Sequence, residues 1–160
     1  MKTERIETIY SDIATKLDKL IPEKWSQIYL YAQLANSMYT MYFFYYTENK
    51  KKLVYSFDIP KNYEINEDEF DDLRDEIKKD FKDLQNEFVV NKQELWTNLT
   101  LVIKDTDEFK IDYRYNDIST IDPFEQQVIW RYEVLGLDSS NQSNLAKKVL
   151  ERYIEDKKKG

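Results

Sequence analysis

The chain has 160 residues with 31 acidic and 24 basic side chains, a formal net charge of −7. It contains no cysteine and no histidine, which excludes disulfides, thiolate metal sites, cysteine nucleophiles and histidine acid–base catalysis. Its two glycines, Gly136 and Gly160, cannot form a glycine-rich phosphate-binding loop. These absences favour a protein that binds another protein over an enzyme.

The length is that of one domain, and we expect residues 1–160 to form a single one. The N-terminus has no apolar run of signal-peptide type, and the apolar stretch 38–46 is too short to cross a bilayer. We therefore expect a cytoplasmic protein that makes no contact with a membrane.

The first predicted element is a helix that ends before Pro22. Its apolar residues recur every three or four positions: Ile6, Ile9, Ile13, Leu17 and Leu20. Three strands follow, over Trp25–Leu34, Met38–Tyr46 and Leu53–Phe57, and Pro60 is expected to end the third. The second strand is apolar or aromatic on both faces, so it is expected to be covered on both.

A long helix is predicted next, with Asn66 as its N-cap. Its apolar stripe is Phe70, Leu73, Ile77, Phe81, Leu84 and Phe88. Strands over Leu95–Lys104 and Phe109–Tyr115 then form a hairpin. In the second of these strands Phe109, Ile111, Tyr113 and Tyr115 share one face.

The last third is predicted to be helical. Asp122 and Pro123 begin one helix, and Gly136 follows its end. The apolar stripe of the final helix is predicted to be Leu145, Val149, Tyr153 and Ile154. The element order α-βββ-α-ββ-αα predicts an α+β fold, with helices packed on a mostly antiparallel sheet of about five strands.

The net negative charge is concentrated on one segment. Residues 64–88 contain 11 acids and four bases, so the remainder of the chain is neutral overall. Asp68, Asp71, Asp72 and Asp75 are spaced to share one helix face. A solvated helix surface accounts for this pattern, because acids near a helix N-terminus complement its dipole. The alternative interpretation is an acidic docking surface for a basic partner. The same negative charge argues against direct binding of nucleic acid.

The sequence predicts no catalytic residue, no cofactor and no metal site. Two carboxylate pairs come closest to a site for a hard cation: Asp105/Asp107 and Asp112/Asp117. The first pair is better explained by turn chemistry, and Asp112 is expected to pair with a neighbour such as Arg114.

Several segments together resemble the YezG-like family of antitoxin or immunity proteins, which includes the staphylococcal EsaG type. These segments cover nearly the whole chain, and they are 21–25, 28–32, 43–46, 59–63, 70–73, 96–100, 109–113, 122–127 and 130–132. The resemblance implies a cytoplasmic antitoxin that neutralises a secreted toxin of the LXG or type VII class, in several such systems a nuclease. It implies no catalytic residue.

The predicted partner is therefore a cognate toxin. We expect Asp68, Asp71, Asp72, Asp75 and Glu76 to form part of the contact, and the candidate aromatic anchors, taken as exposed, are Tyr45, Tyr46, Tyr113 and Tyr115. Two other functions fit the same sequence: a cytoplasmic chaperone or adaptor for a secreted substrate, and a carboxylate-based metal-binding protein. Oligomeric state is not determined by these patterns.

Overall fold

The structure, a computed structural model, describes residues 2–160, and five strands within that range form one antiparallel sheet. The strands are β1 (Trp25–Ala35), β2 (Met38–Thr47), β3 (Leu53–Tyr55), β4 (Asn98–Lys104) and β5 (Glu108–Arg114). Their spatial order is β3-β2-β1-β4-β5. The helices are α1 (Glu4–Leu20), α2 (Ile59–Asn62), α3 (Glu67–Val90), α4 (Pro123–Leu135) and α5 (Asn144–Lys159). The predicted α+β class is confirmed.

The chain divides into two compact units, of which the first ends at Ile118 and the second is Ser119–Gly160. In the second unit, α4 begins at the Asp122 cap and ends at Gly136, whose φ of 69° is left-handed. A small core of Val128, Ala146, Val149 and Leu150 joins α4 to α5. One domain over residues 1–160 stays a prediction.

The core of the first unit lies between one face of the sheet, called the first face, and helices α1 and α3. The predicted stripe of α1, from Ile6 to Leu20, is buried there together with most of the stripe of α3. The first face contributes alternate residues of β1, among them Ile28 and Leu30, because successive side chains of a strand point to opposite faces.

Strand β2 is buried on both faces, as its composition predicts. The whole run from Met41 to Tyr45 is buried, with Phe43 on the first face and Phe44 on the second. Strand β2 joins β1 through Asn36 and Ser37, whose φ values of 53° and 67° are both left-handed. Two left-handed residues make the tight hairpin turn whose twist matches that of the flanking strands.

The third predicted strand is shorter than expected. Strand β3 ends at Tyr55 because the Oγ atom of Ser56 accepts a hydrogen bond of 3.1 Å from the backbone N–H of Phe43. The chain then leaves the sheet, and Pro60 lies in the first turn of α2. Pro60 therefore lies in a helix that begins at Ile59, and the prediction that it ends a strand over Leu53–Phe57 is wrong.

The fourth strand also starts later than predicted, at Asn98 rather than at Leu95. The stripe predicted for α5 is wrong at its first position, since Leu145 is exposed and the neighbouring Ala146 is buried. No helix within residues 2–160 is long and apolar enough to cross a membrane.

Candidate partner-binding surface

Helix α3 begins where the sequence predicts. The Oδ1 atom of Asn66 accepts a hydrogen bond of 3.1 Å from the backbone N–H of Glu69 and caps the first turn. Phe70, Ile77 and Phe81 then point into the core of the first unit. Burial of this stripe leaves the opposite side of the first helical turns facing solvent.

That exposed side is acidic. All five predicted contact residues are exposed, and we call them the acidic face: Asp68, Asp71, Asp72, Asp75 and Glu76. Within the described part of the chain, none of the ion pairs involves any of the five. Their charges are therefore hydrated rather than neutralised by a neighbour, and they are available to a cationic partner.

Two of the bases near the acidic face along α3 lie against aromatic rings. The guanidinium carbon of Arg74 is 4.8 Å from the centroid of the Phe57 ring, and Nζ of Lys78 is 5.2 Å from that of Tyr39. Both contacts are at cation–π distance. Burial raises the pKa of Tyr39, an effect that the charge of Arg74 opposes and that of Asp75 reinforces.

Phe57 is an exposed aromatic residue beside this face that the sequence-based prediction missed. It is 40% exposed, and its contact with Arg74 brings it next to the helix turn that carries Asp71. The pattern of the sequence assigned Phe57 to the third strand. Its position depends on the departure of the chain from the sheet at Ser56, for which the sequence contains no recognisable signal.

Tyr45 is not an exposed anchor, and that expectation is wrong. Its side chain is 0% exposed within the first-face core, and its hydroxyl donates a hydrogen bond of 2.6 Å to Oε2 of Glu23. The hydroxyl of Tyr63 donates to the same oxygen. Tyr45 therefore holds the 21–24 loop against the sheet and is not available to a partner.

The other three tyrosines do not join the acidic face. Tyr46 is half-buried on the second face of the sheet, opposite α3, with its ring 6.1 Å from that of Tyr29. Tyr113 contacts Phe88, about 27 Å along α3 from Phe70 at its start. Tyr115 is 45% exposed and lies just beyond the end of β5. The nine residues predicted as contacts thus lie on different surfaces.

One acid of the same helix points inward. Asp80 is buried, and its Oδ2 atom accepts a hydrogen bond of 2.7 Å from Nζ of Lys16 on α1. Burial raises the pKa of Asp80, although the hydrogen bond and charge of Lys16 oppose the shift. Asp80 therefore joins two helices and contributes nothing to the acidic face.

A second acidic region surrounds a cavity of about 790 Å³ at one end of the sheet. Its lining includes Glu23, Trp25, and Asp105 and Asp107 of the β4–β5 turn. Among the described residues no group of three or more carboxylates is placed to hold a metal ion. Asp112, as its strand position predicts, lies 3.4 Å from Nε of Arg114.

Comparison with known proteins decides the family. Residues 6–150 match the family model described as "Immunity protein YezG-like". The chain belongs to the YezG-like immunity protein family. The match extends from the first turns of α1 into α5, so it includes the whole of α3 and the acidic face.

Two Bacillus relatives are named Immunity protein YezG. That of Bacillus spizizenii is 34% identical over 156 residues, which are 96% of each chain. That of Bacillus subtilis is 37% identical over 134 residues, 82% of this chain and 89% of the relative. The type VII secretion system protein EsaG of Staphylococcus aureus is 27% identical over 96% of each chain. The YezG-like family is one of immunity proteins and not of enzymes.

Proposed function

We propose that this protein is an antitoxin that binds a cognate secreted toxin and neutralises it. The observation that carries the proposal is membership of the YezG-like family across nearly the whole chain. The relative EsaG is named as a protein of the type VII secretion system, so the toxin is proposed to be an LXG or type VII-secreted protein. We propose that the antitoxin acts in the cytoplasm, since such a toxin must be neutralised inside the cell that makes it.

The proposed contact surface is the acidic face of α3. Five exposed carboxylates, none of which forms an ion pair among the described residues, create a local negative potential at the start of a long, well-packed helix. Such a field accelerates the encounter with a basic partner and disfavours acidic or neutral partners. A rigid helix also holds the charges in a fixed pattern, which limits the entropy lost when the complex forms.

Phe57 is the proposed apolar anchor of this contact. Aromatic residues bury a large area at little cost in conformational entropy, and they are enriched among the residues that dominate interface energies. Phe57 is exposed beside Arg74, within the region that also presents Asp71. An exposed apolar ring beside a charged helix surface has the usual arrangement of an interface core and its polar rim.

The charge of the face suits a nuclease toxin. A nuclease surface that holds phosphates is basic, because binding of nucleic acid requires cationic side chains. Carboxylates placed over such a surface compete with the phosphates for the same cations. We therefore propose inhibition by direct occlusion of the nucleic-acid site, not by distortion of the toxin elsewhere.

A growth-rescue experiment tests the proposal. The candidate toxin, sought first among the neighbouring genes, is expressed in a sensitive host with and without the antitoxin, and we expect the toxin-producing cells to grow only when the antitoxin is present. If the two proteins bind but growth is not restored, the protein is a carrier for a secreted substrate and the antitoxin proposal is wrong. Affinity capture from the native cytoplasm identifies the toxin independently.

Competition with nucleic acid distinguishes occlusion from distortion. The affinity of the antitoxin for a catalytically inactive toxin is measured with increasing amounts of a DNA or RNA oligonucleotide. Occlusion predicts that the apparent Kd rises in proportion to the oligonucleotide concentration. An unchanged Kd at saturating oligonucleotide contradicts occlusion and indicates binding elsewhere on the toxin.

A further inference from the structure

Strand β5 is an open edge of the sheet. It pairs along all seven of its residues with β4 and, among residues 2–160, with no other strand. After Arg114 the chain turns towards β4, where Thr97 Oγ1 donates a hydrogen bond of 2.6 Å to the carbonyl oxygen of Asn116. The backbone N–H and C=O groups of alternate β5 residues therefore point outward, ready to pair with another strand.

The opposite edge of the sheet differs from β5. Strand β3 has only three residues, and the chain then enters a 3-10 helix over Ser56–Asp58. A very short edge strand is one of the ways in which proteins prevent edge-to-edge pairing. Strand β5 is neither short nor interrupted, since its register with β4 is regular from Glu108 to Arg114.

The sequence of β5 is complementary to itself when it runs antiparallel about Ile111. In that register Ile111 faces its own copy and Phe109 faces Tyr113. Each charged residue faces an opposite charge: Glu108 faces Arg114, and Lys110 faces Asp112. Cross-strand pairs of aromatic residues and of opposite charges stabilise antiparallel sheets. We infer that two copies of this chain pair through β5 about a twofold axis at Ile111, which joins their sheets into one.

The charges allow this register and oppose the nearest alternatives. A shift by two residues in one direction places Lys110 opposite Lys110 and Glu108 opposite Asp112. The same shift in the other direction places Asp112 opposite Asp112 and Lys110 opposite Arg114. Like charges directly opposite each other destabilise a strand pair. A shift by one residue places a charge, Lys110 in one direction and Asp112 in the other, opposite the apolar Ile111. Among these neighbouring registers, only the one about Ile111 is complementary throughout.

The apolar side of β5 is incompletely covered within one chain. Phe109, Ile111 and Tyr113 are half-buried, and with Tyr10 of α1 they line a groove of about 560 Å³. Tyr10 fixes the edge in place, since its ring lies 5.0 Å from that of Phe109 and its hydroxyl shares a hydrogen bond of 2.5 Å with that of Tyr113. A second copy continues the same apolar row across the twofold axis and removes it from water.

The charged side is free to rearrange on pairing. Lys110 and Asp112 are both exposed, and their cross-strand neighbours on β4 are the uncharged Val102 and Thr100. The contact of Asp112 with Arg114 is also exposed, at 3.4 Å, so it contributes little stability that pairing must overcome. Substitution of Lys110 and Asp112 therefore changes the proposed interface without disturbing the core.

Sedimentation of the full chain and of charge variants tests the inference, at concentrations from about 1 µM to about 1 mM. We expect the parent to form dimers as concentration rises. Lys110→Glu and Asp112→Lys each place like charges opposite each other twice, so each variant alone should dimerise at least tenfold more weakly. An equimolar mixture of the two variants restores both opposite-charge pairs and should dimerise as well as the parent. The double variant Lys110→Glu/Asp112→Lys should dimerise as well as the parent without a second variant present.

Lys147→Glu and Glu151→Lys are matched controls, because they reverse single exposed charges on α5, an element outside the strand that carries the proposed interface. They should leave the dimerisation constant unchanged, and circular dichroism should show that all variants are folded. A parent chain that stays monomeric to about 1 mM overturns the inference. The inference is also overturned if neither single variant weakens the dimer, or if the mixture of the two variants does not recover dimerisation. Pairing about Ile111 requires both the weakening and the recovery. None of these outcomes depends on a toxin, so they are independent of the growth-rescue result.

Discussion

Lys16 of α1 donates a hydrogen bond of 2.7 Å from Nζ to Oδ2 of Asp80 on α3, and this pair joins the two helices that cover the first face of the sheet. The side chains are 22% and 10% exposed, so water screens the interaction only weakly. Asp80 belongs to the acidic segment by sequence but points inward. The ion pair therefore adds to the buried apolar stripe in holding the orientation of α3.

We expect Lys16→Met to destabilise the protein by about 2–4 kcal/mol, because it leaves a buried carboxylate without its cation. The double variant Lys16→Met/Asp80→Leu should lie within about 1 kcal/mol of the parent, since both charges are then removed together. Arg5→Ala is the control: it breaks the more exposed 3.7 Å contact with Asp83 and should cost less than about 1 kcal/mol. Urea unfolding measures the free energy of unfolding of all three variants. A double variant that is as unstable as Lys16→Met contradicts this account.

The loss of folding stability caused by Lys16→Met should become smaller as pH falls. Burial already raises the pKa of Asp80, and removal of Lys16 raises it further. A raised pKa in the folded state means that protonation favours folding, so the penalty present at about pH 7 should decrease towards about pH 4. Urea unfolding of variant and parent at both pH values measures this, and a pH-independent difference contradicts it.

Glu23 should stabilise the fold at neutral pH and lose this effect in acid. Burial raises its pKa, but the hydrogen bonds from Tyr45 and Tyr63 and the charge of Lys52 outweigh burial and hold the pKa below the ordinary 4.5. A lowered pKa gives stability that is present above the ordinary pKa and is lost as pH falls through the folded value. In thermal unfolding, the Tm of Glu23→Gln should therefore be lower than that of the parent at about pH 7 and equal to it near about pH 3.

Tyr63→Phe distinguishes the hydrogen bonds from the charge of Glu23 itself. It removes one of the two hydroxyls that stabilise the carboxylate, so the pKa of Glu23 should rise part of the way towards its ordinary value. Carboxyl chemical shifts followed by NMR across the acid range measure this directly. A pKa that does not move in this variant contradicts the role given to the tyrosine hydroxyls.

Phe57→Ala should weaken binding of the toxin about tenfold, or about 1.4 kcal/mol, without a comparable loss of stability. The matched control is Phe124→Ala, since Phe124 is 42% exposed and Phe57 is 40% exposed. The control lies in the second unit and should leave the Kd unchanged. Calorimetric titration with the toxin measures the Kd of both variants. An equal change of Kd in the two variants contradicts the proposal that Phe57 is an anchor.

Most of the fold was predictable because each element carries local information. The spacing of Ile6, Ile9 and Ile13 fixes the buried stripe of α1, and Asn66 fixes the start of α3. The alternation in β1 fixes its two faces. These signals depend on contacts between residues close in sequence, or on the simple requirement that apolar side chains be buried.

The aromatic part of the candidate site was not predictable in the same way. Strand β2 is apolar on both faces, so its sequence cannot indicate that Tyr45 faces the core and Tyr46 the other side. The exposure of Phe57 depends on the hydrogen bond of Ser56 to Phe43, a contact between residues that are distant in sequence. Such positions are set by tertiary packing, which local periodicity does not encode.

The most direct test of the central claim is the association rate of the toxin with the triple variant Asp71→Lys/Asp72→Lys/Asp75→Lys. We predict that its association rate constant falls at least tenfold and that growth rescue weakens. The control is Glu151→Lys/Glu155→Lys/Asp156→Lys, which makes the same change of net charge at exposed positions of α5. The association rate constant of this control should stay within about threefold of that of the parent. A folded triple variant that associates and rescues as well as the parent contradicts the role of the acidic face, and an equal loss in both triple variants shows that net charge alone matters.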